Sequence, residues 1–101
     1  MLTQKEKLLF ETLGQNYQIL RITDDYFEFR SRTTRHCWII KKESACSGRK
    51  LPYTIYHKHK LSDYYHKHWQ SYSIESCINS IIKHDNYVLR KEISLKMNNM
   101  K

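Results

Sequence analysis

The sequence predicts an α+β domain in which an antiparallel sheet of about five strands is covered on one face by an N-terminal and a C-terminal helix. Apolar residues alternate with polar ones over several short segments in the middle of the chain and recur with helical spacing near its two ends. Two glycines and one proline in 101 residues argue against disorder and against two linker-joined domains. We therefore expect a single domain over residues 1–101, with a frayed tail at about 97–101.

Residues 3–13 predict the first helix. Thr3 can cap its N-terminus, and Glu6 stands three residues later, as in a capping box. Gly14 is expected to end the helix, because glycine readily adopts the left-handed conformation that follows a helical C-terminus. The apolar residues of this segment recur on one side of the helix: Leu2, Leu9, Phe10 and Leu13.

A three-stranded meander is predicted over residues 17–42. Two-residue turns at Asp24-Asp25 and Thr33-Thr34 both place the same apolar side chains on one face: Leu20, Ile22, Phe27, Phe29, Trp38 and Ile40. A slip of one residue would exchange the two faces, so the agreement of the two turns supports this register, in which Leu20 lies opposite Phe29. The other face is then cationic and carries Arg21, Glu28, Arg30, Arg32, Arg35, Cys37 and Lys41 beside Tyr17, Ile19 and Ile39.

After a loop over 43–51, residues 53–59 and 64–70 predict a hairpin across 60–63, and one long helix over 63–83 is the alternative. The hairpin contains the same four-residue pattern twice, as Tyr56-His57-Lys58-His59 and Tyr65-His66-Lys67-His68. With a four-residue loop, His57 lies opposite His66 and Ile55 opposite His68. The four histidines then share one face, and the tyrosines, lysines and Trp69 share the other. A shift of one residue would mix these faces.

The clearest helix is predicted over residues 74–84. Ser73 can cap it, and His84 would stand at its C-terminus, where a positive charge suits the helix dipole. The tail from Tyr87 to Leu95 is expected to add a strand or a short helix. A stripe of apolar residues at spacings of three and four residues indicates the buried side of the helix: Ile74, Cys77, Ile78, Ile81 and Ile82.

The net charge of +8 has a definite location. Between Arg30 and Gln70 stand ten Lys and Arg residues and two acidic residues, so this segment holds the whole excess and would attract polyanions. The longest apolar runs have three residues, too few to cross a bilayer. Three cysteines, Cys37, Cys46 and Cys77, form no even framework, which favours reduced thiols and a cytoplasmic protein.

These features predict a small basic nucleic-acid-binding or regulatory protein, and not an enzyme. Lysine and arginine neutralise phosphate, and each tyrosine that stacks on an unpaired base contributes about 1–3 kcal/mol. The histidines of the hairpin would add positive charge as the pH falls toward 6. The choice between DNA and RNA stays open. The residues predicted to contact nucleic acid are Arg30, Arg32, Arg35, Lys41, Tyr56, Lys58, Tyr65 and Lys67.

Three alternatives stay open. The cationic, tyrosine-rich surface could bind an acidic protein partner. The paired histidines could hold zinc, or His57 and His66 could act as acid and base in metal-free RNA cleavage. The sequence places no carboxylate or cysteine evidently beside the paired histidines of the hairpin. We assign no metal ligand, no cofactor and no catalytic residue.

Overall fold

The computed structural model describes residues 1–43 and 51–99 and confirms the predicted α+β class. The five strands are all antiparallel and lie side by side in chain order. Residues 53–70 form the predicted hairpin, so the alternative of one long helix over 63–83 is wrong. The elements are α1 (Gln4–Leu9), a 3-10 helix (Phe10–Asn16), β1 (Tyr17–Ile22), β2 (Tyr26–Ser31), β3 (Cys37–Lys42), β4 (Tyr53–Lys58), β5 (His66–Ser71) and α2 (Ile74–Asn99).

The central strands pair as predicted. Phe27 lies opposite both Ile22 and Ile40, and Phe29 lies opposite Trp38. The second turn is wider than expected, because Arg35 donates its backbone N–H to the Ser31 carbonyl, yet the register is unchanged. The inward side chains of these strands and of the neighbouring β4 are fully buried and form the centre of the core: Phe27, Phe29, Trp38, Ile40 and Ile55.

Strand β1 departs from the prediction. The register shifts between Ile19 and Arg21, so Ile19, and not Leu20, lies opposite Phe29. Such a bulge turns the residues before it to the other face of the sheet, and Tyr17 therefore points toward the helices, where it packs against the core. Leu20 and Ile22 were predicted to be buried but are 37% and 46% exposed, because β1 is an edge strand that the helices leave partly uncovered.

The N-terminal helix begins as predicted, but it is α-helical only to Leu9 and continues as the 3-10 helix. Thr3 and Glu6 form a reciprocal capping box, and the ring of Phe10 stacks on that of Phe27 with 3.7 Å between centroids. Leu2 and Leu13 are buried in the same core. Gly14 was expected to end the helix but instead forms a kink within the 3-10 helix, with φ 73°, a left-handed conformation that favours glycine.

Helix α2 is much longer than predicted. Ser73 caps it through its side chain and its carbonyl, but the helix continues past residue 84 to Asn99 and includes the segment expected to form a separate element. The second half of α2 is mostly exposed, so its sequence shows no apolar stripe that would predict a helix. Ile82 is 37% exposed, contrary to prediction, whereas the other residues of the stripe are buried: Ile74, Cys77, Ile78 and Ile81.

The predicted loop lies largely outside the described residues, and so does Cys46. The residues at the two ends of this loop are hydrogen-bonded, since the Glu43 N–H donates to the Pro52 carbonyl over 2.7 Å. Cys37 and Cys77 are buried free thiols. Over residues 1–43 and 51–99, no helix is long and apolar enough to cross a bilayer.

Glu6 joins the N-terminal helix to the sheet. Besides capping α1, its carboxylate forms an ion pair with Lys42 of β3 at 2.7 Å and accepts a hydrogen bond from the Tyr53 hydroxyl of β4. Burial alone would raise the pKa of Glu6, but hydrogen bonds from Lys42, Tyr53 and Thr3 outweigh it and lower the pKa from 4.5 to about 2. The folded protein therefore favours the ionised carboxylate.

We predict that Glu6→Gln destabilises the protein by about 2 kcal/mol at neutral pH, because it removes the charge while leaving Lys42 and Tyr53 partly buried. The folded pKa lies below the unfolded one, so the contribution of Glu6 is present above pH 4.5 and is lost as the pH falls toward 2. Denaturant unfolding of both proteins at several pH values should show their difference shrinking across that range. Glu11→Gln, an exposed change on the same segment, is the control. A difference that is constant with pH would contradict this role.

Candidate functional site

All six histidines of the chain converge on the helix-covered side of the sheet. His57 lies at the centre and is 2% exposed. The other five rings surround it, with centroid distances of 4.9 Å to His36, 5.0 Å to His59, 5.5 Å to His66, 5.4 Å to His68 and 5.0 Å to His84. We call these six residues the histidine cluster.

Strand β4 and the turn between β2 and β3 place His57 and His36 at the centre of the histidine cluster. His57 follows Ile55 on the inward face of β4, where the ring of Trp38 stacks on it at 4.1 Å. His36 comes from the turn between β2 and β3, in which Arg35 adopts φ 67° and the Thr34 hydroxyl accepts from the His36 N–H. The turn brings His36 Nδ1 to 2.9 Å from His57 Nε2, so one ring nitrogen donates to the other.

Helix α2 supplies His84. It lies one turn beyond Ile81, on the side of the helix that faces the sheet. The next residue, Asp85, is buried and accepts hydrogen bonds from the Tyr17 hydroxyl at 2.7 Å and the Thr34 hydroxyl at 3.2 Å. These bonds fix the helix against β1 and against the turn that carries His36.

The hairpin supplies the remaining three histidines, with a correction to its register. His57 lies opposite His66 as predicted, but Ile55 lies opposite Trp69 and not His68, because β5 contains a bulge. The bulge turns Trp69 toward α2, away from the face on which it was predicted. A cavity of about 340 Å³ lies there between β5 and α2, and its lining includes Trp38, His68, Trp69 and His84.

The histidine cluster is uncharged at its centre at neutral pH. Burial, followed by the neighbouring imidazoles, lowers the pKa of His57 to about 3. Burial likewise lowers the pKa of His36, His68 and His84 below the ordinary value. The expectation that the hairpin histidines gain charge as the pH nears 6 is therefore wrong for His57, and the lowered pKa of His68 opposes it. His84 does not stand at a helix end, because α2 continues to Asn99.

The opposite side of the sheet carries the predicted nucleic-acid contacts. Arg30, Arg32 and Arg35 line a cavity of about 180 Å³ with Gln18 and Ser31, at the end of the sheet where β2 turns into β3. Register places the side chains of four other predicted residues on the same side: Lys41, Tyr56, Lys58 and Lys67. We call these seven residues the cationic face.

Tyr65 differs from the other predicted contacts. Its side chain crosses this side of the sheet, and its hydroxyl donates to Glu28 of β2 over 2.7 Å. The ammonium of Lys58 lies 4.4 Å from the centre of its ring. Cys37 is fully buried on the same side of the sheet, and burial raises the pKa of its thiol. Tyr65 thus has a structural role, which leaves Tyr56 as the better placed of the two predicted stacking residues.

Sequence reasoning missed three residues of the site, His36, His84 and Asp85. A signal for two of them was present, since His84 and Asp85 follow Ile81 at spacings of three and four and so continue the buried stripe of α2.

No protein-family model, curated protein or solved structure matches this chain.

We predict that Tyr65→Phe destabilises the protein by about 1–3 kcal/mol, because it leaves the half-buried Glu28 carboxylate without the Tyr65 hydroxyl. Tyr64→Phe removes the same atom from the adjacent residue, which is 94% exposed, and should change stability by less than about 0.5 kcal/mol. Thermal and denaturant unfolding of the two variants measures both changes in stability. Equal stability would show that Tyr65 does not hold the sheet surface together.

Proposed function

We propose that the protein binds nucleic acid through the cationic face. The observation that carries this proposal is the convergence of Arg30, Arg32 and Arg35 on one concave surface. A guanidinium presents several N–H donors in a planar fork that fits phosphate, and three of them in one cavity favour an anionic ligand.

The charge distribution of the sheet supports the same function. Within the five described strands the single acidic residue is Glu28, and its carboxylate already accepts the Tyr65 hydroxyl. Adjacent strands lie about 4.8 Å apart, so Arg30 on β2 and Lys67 on β5 are separated by about 14 Å across the sheet. A backbone lying across this face would meet positive charge at both ends, with the half-buried ring of Tyr56 between them.

The proposed contacts are mainly to phosphate, so binding would depend strongly on salt and weakly on base sequence. The reduced state of Cys37 and Cys77 is consistent with activity in the cytoplasm. RNA cleavage by His57 and His66 has less support, because His57 is buried and both residues belong to the histidine cluster on the other side of the sheet.

Fluorescence anisotropy with labelled single- and double-stranded DNA and RNA, at several salt concentrations, tests the proposal. The triple variant Arg30→Gln, Arg32→Gln, Arg35→Gln should bind more weakly at low salt. The slope of log K against log salt should become shallower by about 2, since each lost phosphate contact contributes about 0.7–0.9.

A matched control removes three exposed charges from the second half of α2, as Arg90→Gln, Lys91→Gln and Lys96→Gln. This variant has the same net charge as the first and should keep nearly wild-type affinity. Equal losses in both variants would mean that binding follows net charge alone. Absence of binding by the wild-type protein at low salt would overturn the proposal, and capture of an acidic protein by the nuclease-treated protein would then favour a protein partner.

A further inference from the structure

We propose that His36, His57 and His84 bind one zinc ion, each through one ring nitrogen. The three ligand atoms lie within 4.8 Å of one another. They come from the turn between β2 and β3, from β4 and from α2, so they meet only in the folded chain. This site lies on the helix-covered side of the sheet and is independent of nucleic-acid binding by the cationic face.

The first argument is that the ring nitrogens are poorly satisfied without an ion. His84 Nδ1 is buried and has no hydrogen-bond partner among the described residues. Buried polar atoms almost always have a partner, so each exception calls for an explanation. Among the described residues, the other two rings share one hydrogen bond, of 2.9 Å between His36 Nδ1 and His57 Nε2. A metal ion would give every ring of the trio a strong partner.

The second argument is the type and number of ligands. Neutral imidazole suits zinc, which accepts three protein nitrogens at about 2.0–2.1 Å and leaves its fourth tetrahedral position to water. Tetrahedral geometry then separates the nitrogens by about 3.4 Å, so the His36–His57 contact must open by about 0.5 Å while His84 moves inward. The buried carboxylate of Asp85 acts electrostatically on both His36 and His84, and a negative charge there favours a bound cation.

The third argument distinguishes ligands from neighbours. The ring of His59 lies flat on that of His36, with 4.5 Å between centroids and 9° between planes. An ion bound to His36 lies in the plane of its ring, and a ring stacked in parallel cannot direct its own nitrogens to the same point. His59 therefore covers the site and does not complete it. The cavity between β5 and α2 includes His84 in its lining and gives the ion a route in.

A second trio, His57, His66 and His68, also has ligand atoms within 4.8 Å. Its outer two members are exposed and stand on one edge strand, whereas the first trio draws on three separate elements and includes the unsatisfied nitrogen of His84. These differences favour the first trio, and the two can be told apart by experiment.

The test is a metal titration of the full chain after treatment with chelator. Zinc binding is measured by calorimetry and by the change in Tm. Cobalt binding is measured by the visible absorption of tetrahedral Co²⁺. The wild-type protein should bind one ion and melt at a higher temperature with zinc than with chelator. His36→Gln and His84→Gln should weaken binding by more than about 100-fold, which exceeds the usual effect of losing an outer hydrogen bond.

His59→Gln and His68→Gln are the matched controls and should stay within a few fold of wild type. Loss of binding in His68→Gln with retention in His84→Gln would move the site to the second trio and overturn this assignment. Equal loss in His59→Gln would mean that the ion is held without a defined ligand set. A wild-type protein whose Tm is the same with zinc and with chelator, and which binds no cobalt, would overturn the proposal.

A measurement on the wild-type chain tests the site even if the histidine variants fail to fold. Imidazole nitrogen resonances of His36, His57 and His84 should shift on addition of one equivalent of zinc, while those of His59 should change little. Unchanged resonances for the trio would count against the site regardless of the variants.

Discussion

The packing of α2 across the sheet is the interaction on which the rest of the structure depends. Its first two turns place Ile74, Ile78 and Ile81 in the core, and each buried isoleucine contributes about 1.5–3 kcal/mol. Beyond Ile81 the same side of the helix becomes polar and presents His84 and Asp85 to the sheet. The apolar half therefore stabilises the contact, and the polar half, which cannot be buried without partners, determines where β1, the β2–β3 turn and β4 must lie relative to the helix.

The sequence predicted the pairing of the central strands correctly. The turn at Thr33-Thr34 predicted the pairing of Phe29 with Trp38, and the four-residue loop of the hairpin predicted the pairing of His57 with His66. It failed at the two edge strands, where β1 and β5 each contain a bulge. An edge strand has one neighbour and can absorb an extra residue, and nothing in the local composition marks the position. The bulges moved Tyr17 and Trp69 to the helix side.

The histidine cluster was only partly predictable for a different reason. The hairpin brings four histidines together locally, but His36 and His84 reach them through the β2–β3 turn and through α2. The predicted helix ended at residue 84, because the exposed side chains that follow form no apolar stripe at helical spacing. Had the stripe been extended by one polar turn, His84 and Asp85 would have been placed against the sheet. Polar residues that continue an apolar stripe are thus evidence for a buried polar site.

The two sides of the sheet are chemically separate. The cationic face depends on arginine and lysine, which carry their charge throughout the physiological pH range. On the other side, burial lowers the pKa of His36, His57, His68 and His84, which favours the neutral ring with a lone pair for an electrophile. Neutral imidazoles are required for metal coordination, so the burial that favours the neutral form of these rings suits them to hold an ion.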